Sequence, residues 1–385
     1  MSMPRLATWC LLLALVACSS TGQSPSASAQ TPATPPAASS GAKPFVVLIT
    51  GVVATDAPTY TLSIVTLDGQ VAASATAANP NLPLVPWQPL PFVSSSASRA
   101  YYLDGNGLVK YLKPDGTTGL ATHLPVLANQ RAVFAVSPDD GKVAVSVFDL
   151  NAGMHLSVAG LAGSQTWHEI FATSAFSEWP VGWHGGQLAL GLGHVQGGQQ
   201  ICAVCSWTPL GIHLVNPDTG SRSRTICEPD PSNPRSAQFP TSPPTPAGVL
   251  CQTASNPTPN GLYTVFAMTI AHWDGSGGPT IPLPAGPSSG TPPGALSPDG
   301  QMIASIQHLG ECSNGNSVNL FDTRGHWRPT SAVTSGQRLL WIDSAHLCFD
   351  SGDDQSSILD VASDKVTPIK ARGLCTAVIP GGLGS

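Results

Sequence analysis

Charged side chains are scarce in this sequence. Asp, Glu, Lys and Arg make up 10% of its 385 residues, against about a quarter in a typical globular chain. Sixteen basic residues face 22 acidic ones, which gives a formal net charge of −6. The basic surface that a nucleic-acid-binding protein needs is therefore missing, and we expect no nucleic-acid partner.

Strong helix formers are also few. Glutamate occurs only four times, whereas the sequence contains 39 glycines and 37 prolines and is rich in Ser, Thr and Val. Glycine and proline disfavour helix interiors, and Val and Thr favour strands. This composition predicts an all-β fold of short strands joined by many turns.

Long apolar runs are absent except at the start of the chain, where Leu6 to Ala17 follows the single charge of Arg5. The run is shorter than the ~20 apolar residues that span a bilayer and is typical of a secretion signal. It ends in Leu15-Val16-Ala17-Cys18, which resembles the lipobox of bacterial lipoproteins. An alternative is a plain signal cut at Ala27-Ser28-Ala29.

The lipobox resemblance implies cleavage before Cys18, whose thiol would carry a diacylglycerol. We therefore expect a signal peptide over 1–17, membrane lipid as the partner of acylated Cys18, and a location in the bacterial cell envelope on the extracytoplasmic side. Residues 18–43 are Ser, Ala, Pro and Thr with almost no charge. They cannot bury enough surface to fold, so they form a tether before a folded domain over 44–385.

Two stretches of the chain share a pattern of strand, Ser-Pro-Asp turn and second strand: Ala132–Val145 and Gly294–Ala304. Pro pre-sets φ in such a turn, and Asp bonds back to nearby amides. Both stretches resemble the repeat of TolB-type and related WD-like bacterial β-propellers. The resemblance implies a propeller fold and names no partner for this chain.

Weaker copies of the pattern continue along the chain. We place first strands near Val93, Phe134, Val181, Leu250, Leu296, Leu340 and Val378. Most steps are near the ~40–45 residues of a four-stranded blade, and the longest contains a Pro-rich insertion over 228–248. Turns between third and fourth strands are expected at Leu67–Gly69, Lys113–Gly116, Asn216–Gly220 and Asp322–Gly325.

The two ends of the domain complement each other. Residues 43–77 hold three strand-like runs without a first strand, and Cys375–Gly381 supplies a strand and a Pro-Gly turn. We therefore predict about seven four-stranded blades, with the ring closed by this strand pairing into the first blade. An open solenoid or a two-sheet sandwich is the alternative. Residues 383–385 are expected to be a loose tail.

Seven cysteines follow Cys18: Cys202, Cys205, Cys227, Cys251, Cys312, Cys348 and Cys375. In an exported protein we expect structural disulfides. The pair at 202 and 205 has the spacing of redox and zinc motifs, but it lacks a βαβ context and a second ligand pair. The first four of these cysteines are predicted to pair among themselves, and the other three leave an odd thiol. No metal and no cofactor are expected.

Other motifs point weakly to chemistry. Gly286–Gly290 fits the pattern of a nucleophile elbow, but flanking prolines favour a loop. His residues adjoin Trp at 167–168, 183–184, 272–273 and 326–327. These pairs either line a ligand-binding mouth or fill the outer ends of blades, and we favour the second.

We interpret the chain as a monomeric binding platform for a protein, peptide or glycan, with no catalytic residue assigned. The alternative is a propeller hydrolase or lyase. A ring of Asp, Glu or His in the central channel would favour the enzyme; an apolar, Ser, Thr and backbone lining would favour the platform. A sensor or processing factor that binds peptides is indistinguishable from a platform at this level.

Overall fold

The computed structural model describes residues 43–51, 57–80, 92–149, 153–162, 165–196, 199–200, 210–227, 236–240, 242–255, 264–282, 294–308, 316–336 and 338–384. Its two Ser-Pro-Asp turns are built alike. The Ser137 hydroxyl bonds to Asp139 at 2.6 Å and accepts the Lys142 amide at 2.8 Å. The Ser297 hydroxyl bonds to Asp299 at 2.6 Å and accepts the Met302 amide at 2.9 Å. Each serine side chain thus accepts a hydrogen bond from a backbone N–H group that would otherwise have no partner in so tight a turn.

Seven antiparallel sheets, or blades, follow one another along the chain. Blade 1 contains β1 (Phe45–Thr50), β2 (Thr59–Val65) and β3 (Val71–Ala78), and its first strand is described below. Blade 2 contains β4 (Val93–Ser95), β5 (Ala100–Asp104), β6 (Leu108–Leu112) and β7 (Thr118–His123), and blade 3 contains β8 (Arg131–Val136), β9 (Lys142–Asp149), β10 (Gly153–Gly160) and β11 (His168–Thr173). Blade 4 contains β12 (Phe176–His184), β13 (Gln187–Gln196), β14 (Gln199–Gln200), β15 (Ile212–Val215) and β16 (Arg222–Ile226).

Blade 5 contains β17 (Ser236–Pro240), β18 (Val249–Ser255), β19 (Thr264–Ala271) and β20 (Gly277–Pro282). Blade 6 contains β21 (Gly294–Leu296), β22 (Met302–His308), β23 (Asn316–Asp322) and β24 (Trp327–Thr334). Blade 7 contains β25 (Leu339–Trp341), β26 (His346–Gly352), β27 (Gln355–Asp360) and β28 (Lys365–Arg372), and the last strand of the chain is β29 (Leu374–Ile379). The described residues contain no helix long and apolar enough to cross a membrane. The all-β seven-bladed propeller is confirmed. All four turns expected between third and fourth strands lie there.

The ring is closed by β29, which is the first strand of blade 1. It pairs antiparallel with β1, with Phe45 opposite Ile379 and Ile49 opposite Leu374. The same strand contacts β25 of blade 7 and β4 of blade 2. Closure by the last strand of the chain is therefore confirmed. It removes the open sheet edge that blade 1 would otherwise present.

One first-strand placement was wrong. The first strand of blade 5 is β17, inside the segment expected to be an insertion, and Leu250 lies on β18, the second strand. The prolines in this segment argued against a strand, because Pro has no backbone N–H to donate to a neighbouring strand. An innermost strand is paired on one side only, so Pro240 is tolerated opposite Cys251 at its end.

Adjacent blades pack through apolar faces and a repeated tryptophan contact. The Trp183 indole on β12 donates to the Ala135 carbonyl of blade 3, and the Trp341 indole on β25 donates to the Ala295 carbonyl of blade 6. In both cases the innermost strand of one blade bonds to that of the preceding blade. A buried indole that keeps its N–H paired adds a large apolar contact without an unsatisfied donor.

Two disulfides also join neighbouring blades. Cys227, which follows blade 4, is bonded to Cys251 on β18 of blade 5, with a Cα–Cα distance of 5.7 Å. Cys348 on β26 of blade 7 is bonded to Cys375 on β29, with a Cα–Cα distance of 6.4 Å. The second bridge holds the closing strand covalently against the blade on its other side.

The faces of the ring are named by their connections. The upper face carries the second-to-third and fourth-to-first connections, and the lower face carries the first-to-second and third-to-fourth ones. Residues 380–384 leave β29 and run along the lower face over four successive blades. The Gly381 amide donates to the Ser96 carbonyl at 2.7 Å, and the Leu383 amide donates to the Trp183 carbonyl at 3.0 Å.

Residues 383 and 384 are therefore not a loose tail, and that expectation was wrong. Leu383 is only 7% exposed and packs with apolar residues of blades 4 and 5. His184 Nδ1 donates to its carbonyl oxygen at 2.8 Å. A lone leucine among glycines carries no sequence signal for this contact, which depends on where β29 ends.

Replacing Leu383 with alanine should lower the free energy of unfolding by about 2 kcal/mol, the lower end for a buried leucine, because the site is near the surface. Urea unfolding measures the change. Leu127→Ala is the matched control, since Leu127 is 65% exposed and its loss should change stability by no more than about 0.5 kcal/mol. Equal midpoints for the two variants would contradict the buried contact.

Candidate functional site

The innermost strands of the seven blades carry few ionisable side chains. Apart from the disulfide-bonded Cys375, they contain only Arg131, Glu178 and His184. Partly exposed positions on these strands are mostly small, hydroxylated or aliphatic: Ser94, Ser95, Val181, Leu340, Thr376, Ala377 and Val378. The described innermost strands therefore carry no ring of acids or histidines, which we took as the mark of an enzyme.

Glu178 on β12 points away from the channel. Its side chain accepts a hydrogen bond from His213 Nδ1 on β15 and one from Arg222 Nη2 at 3.2 Å. Glu178 and His213 are each 1% exposed. Removing His213 would leave the buried Glu178 carboxylate without its buried partner, a change that costs about 3–5 kcal/mol, so the pair has a structural role in blade 4. The three lie on different strands, and their sequence spacing gave no signal of the contact.

The four Trp-flanked histidine pairs do not all meet at one mouth, although the pairs at 183–184 and 272–273 contact each other. His184 ends β12 and stacks on Trp273, with ring centroids 4.7 Å apart, on the lower face. His168 and Trp327 begin β11 and β24, the outermost strands of blades 3 and 6. Two of the four pairs thus lie on outer strands, as we favoured. The pair at 183–184 lies on an innermost strand instead.

A polar group on the upper face of blade 7 is the strongest candidate for a ligand contact. Asp350 lies near the end of β26, and Arg338 immediately precedes β25. In the ladder of these strands Leu339 is opposite Phe349. The register therefore places Arg338 and Asp350 side by side on one face of the blade, where cross-strand neighbours lie about 5 Å apart.

The backbone around Asp350 is firmly held. Thr334 is fully buried, and its hydroxyl donates to the Asp350 carbonyl at 2.6 Å. A Cβ on Gly336 would lie 2.3 Å from Asp350 Oδ2, so only glycine leaves room for the carboxylate. In the next turn, Asp354 accepts the Thr50 hydroxyl at 2.5 Å, which links blade 7 to blade 1.

Asp350 is 6% exposed. Burial raises the pKa of Asp350 to about 6; the charge and backbone N–H of Arg338 partly offset this, and Asp354 adds to it. Burial likewise lowers the pKa of the Arg338 guanidinium, which stays charged. A perturbed carboxyl beside a cation is a common mark of a functional site.

The Asp350 carboxyl is only partly paired. Its Oδ1 is buried and has no hydrogen-bond partner among the described residues. The Arg338 backbone N–H donates to the same carboxyl, and the Arg338 charge acts on it, so Arg338 and Asp350 are neighbours. Nothing in the sequence pattern marked them, since their meeting depends on strand register.

The predicted cysteine sites divide in two. Cys227, Cys251, Cys348 and Cys375 form the two disulfides, whereas Cys18, Cys202, Cys205 and Cys312 lie outside the described residues. Because two of the first four cysteines are joined to each other, a pairing within that set leaves 202 with 205. Gly286–Gly290 also lies outside the described residues. Over the described ranges, no group of three or more His, Cys, Asp or Glu side chains could hold a metal ion.

Several solved structures share part of this architecture. TolB from Acinetobacter baumannii is 16% identical, with 84% of this chain and 78% of that chain covered and a TM-score of 0.38. AztD from Citrobacter koseri is 12% identical, with 88% and 97% covered and a TM-score of 0.45. An oligogalacturonate lyase in complex with manganese is 10% identical, with 78% and 81% covered and a TM-score of 0.49.

At these identities and scores, the likeness says nothing about what this chain binds. No family model matches the sequence, and no curated protein is similar to it. The chemistry must therefore be read from the site itself. Asp354 lies near enough to raise the pKa of Asp350, and its own carboxylate accepts the Thr50 hydroxyl at 2.5 Å.

Proposed function

We propose that this chain is an exported lipoprotein, anchored to a membrane through acylated Cys18, whose propeller serves as a binding platform. Its ligand is a protein or peptide met on the upper face. Residues 18–43 form the tether that lets the ring reach away from the lipid surface. This function assigns a role to each segment: targeting, anchoring, spacing and recognition.

The lining of the channel is the observation that carries the platform. Hydroxyl, aliphatic and backbone groups hold a ligand by shape and hydrogen bonds, and they offer no acid–base pair for hydrolysis or elimination. The two disulfides support export, because such bonds persist in oxidising compartments outside the cytosol. The lipobox supports the anchor, and the charge-poor segment after it supports the tether.

The second candidate function is a propeller hydrolase or lyase. Its one favourable observation is the pKa of Asp350, which lies in the range useful for a general acid or base. The neighbouring Asp354 carboxylate accepts the Thr50 hydroxyl and is held by it, which weighs against a role for Asp354 as the second acid. We rank the platform first.

Site-specific crosslinking tests the platform. A photoreactive residue at Asp353, exposed on the upper face, should capture a discrete partner in intact membranes. The same residue at Asp115, exposed on the lower face, is the matched control and should not. The captured protein is identified by mass spectrometry, and its purified form should bind the purified lipoprotein. Capture at Asp115 alone, or no rebinding, would reject the platform.

A further inference from the structure

The outermost strand of each blade has one edge that no strand of its own sheet covers. In blades 2 and 7, residues of the next blade bond to the backbone of this edge. Trp167 Nε1 donates to the His123 carbonyl of β7 at 3.1 Å. The Lys370 amide of β28 donates to the Gly69 carbonyl of blade 1 at 3.1 Å. Such contacts occupy backbone groups that would otherwise be free to pair with another chain.

The edge of β3 in blade 1 has this cover only at its upper end. There the Asp104 carboxylate accepts the Ala78 amide at 2.6 Å, and the Gly105 amide donates to the Ala78 carbonyl at 2.8 Å. Lower down, a Cβ on Gly116 in the turn of blade 2 would meet no described atom within 4 Å, whereas one on Gly69 would lie 2.5 Å from a carbonyl oxygen of β28. The turn of blade 2 therefore does not press on β3 as the turn of blade 1 presses on β28.

The register of β3 shows which of its backbone groups face outward. Ala78 bonds to blade 2 with both its N–H and its C=O, so these groups point away from β2. The hydrogen-bonding direction alternates along an antiparallel strand, and the pairing of β2 with β3 is regular over residues 73–78 of β3. The N–H and C=O groups of Ser74 and Thr76 thus also point outward. No described residue bonds to these four groups.

The sequence of β3 also lacks the residues that keep a free edge from pairing. Charged side chains and prolines usually serve this purpose, and Val71–Ala78 contains neither. The outermost strands of blades 3 to 7 each carry at least one charge or proline. Strand β7 carries neither, but Trp167 covers it. Of the seven outermost strands that the structure describes, β3 is the least protected.

We propose that β3 pairs with β3 of a second copy of this chain, which joins two four-stranded blades into one continuous sheet. The two strands run antiparallel about a twofold axis at Ala75. This register places Ser74 of each copy opposite Thr76 of the other. Both are hydrogen-bonded pairs, so every outward group of the two residues gains a partner. The proposal concerns the outer rim and is separate from recognition on the upper face.

Charge and shape both favour a second copy at this edge. The chain has a net charge of −6, so two copies repel each other over much of their surface, whereas β3 is neutral. Ala72, Ser74 and Thr76 are exposed and small, which lets two identical strands approach without a clash. A twofold interface must be self-complementary, and the antiparallel register satisfies that condition with the same residues on both sides.

The proposed membrane anchor suits a contact of this size. One pair of strands is a small interface beside the roughly 1,200 Å² at the lower limit of stable complexes, so we expect released protein to be monomeric when dilute. Two copies anchored in one membrane meet at a higher effective concentration. Antiparallel pairing turns their lower faces in opposite directions, and residues 18–42 can extend over about 80 Å, which allows both anchors to reach the same membrane.

Disulfide trapping tests the pairing. Ala75 lies on the proposed axis, where opposite Cα atoms are about 4.5 Å apart and within the range of a disulfide. The full-length Ala75→Cys lipoprotein is oxidised mildly in membranes, and mass spectrometry should place a bond between the two introduced thiols. Ser331→Cys is the matched control, because Ser331 is exposed on β24 and Asp364 covers its backbone. It should give at least about tenfold less dimer.

Charged substitutions test the register. Adding Ser74→Lys and Thr76→Lys to the Ala75→Cys chain places lysine opposite lysine in both pairs, and dimer should fall about tenfold, because like charges directly opposite each other are destabilising. Adding Ser74→Lys and Thr76→Glu instead places lysine opposite glutamate and should restore the dimer. Both pairs of substitutions alter exposed side chains, and thermal melting checks that the fold is unchanged.

The contrary results are distinct. Dimer no more abundant than in Ser331→Cys, in membranes where the wild-type chain carries its lipid, would overturn the pairing and leave the anchor and the platform standing. Equal dimer in the two charged variants would place the contact elsewhere on the rim, and an adduct to another protein would show a different occupant. A wild-type chain without lipid would reject the anchor, and the same comparison in concentrated purified protein would then decide the pairing.

Discussion

Deleting residues 374–385 should leave protein that is insoluble or rapidly cut by protease. The deletion removes β29 and exposes the backbone edge of β1, whose N–H and C=O groups then have no partner. It also removes Cys375 and the nearly buried Ile379. An unpaired apolar edge is a template for aggregation. Limited proteolysis and the soluble fraction after export measure the result.

The matched control keeps the strand and removes only the covalent link. A Cys348→Ser/Cys375→Ser variant should stay soluble and lose about 2–4 kcal/mol of stability, the usual contribution of one disulfide. If the deletion behaves like this control, the hydrogen-bonded closure contributes little. A stable, soluble deletion variant would contradict the role of β29.

Replacing Cys18 with serine should move the protein from the membrane to the soluble fraction and leave its fold intact. Serine cannot carry the thioether-linked lipid, and each lost acyl methylene removes ~0.8 kcal/mol of membrane affinity. The change lies well before Lys43, where the described propeller begins. Fractionation after a salt wash, with an alkynyl fatty acid as a label, measures both anchoring and acylation.

The Cys348→Ser/Cys375→Ser variant serves here as well, since it alters two cysteines that are not the proposed anchor. It should remain membrane-bound and labelled. A Cys18→Ser protein that resists the salt wash would show that another element holds the membrane. A wild-type protein without label would show that the cysteine is not acylated.

Local chemistry was enough to predict much of the fold. The turns at Ser137 and Ser297 are fixed by neighbours in sequence, and so are the Asp and Asn turns between third and fourth strands. Ring closure followed from counting the strands in each blade, because the start of the domain supplies three strands of blade 1 and its end supplies the fourth. Each of these features depends on residues a few positions apart or on a repeat.

Features that depend on register escaped prediction. Pro240 hid β17, because the tolerance of proline depends on whether a strand is paired on both sides. Arg338 and Asp350 became neighbours only through the pairing of Leu339 with Phe349. Leu383 gained its burial from the lower-face loops of other blades. None of these contacts has a sequence period.

The closing strand also sets when this protein can fold. Phe45 and Ile379 pair across nearly the whole chain, so blade 1 lacks its first strand until the six other blades have been synthesised. Pairings between distant residues form slowly, because a long loop must close before the contact is gained. During that interval β1 is an open edge, and Cys348 has no correct partner. We therefore expect the partly synthesised chain to need a holding chaperone until residues 374–379 can pair with β1.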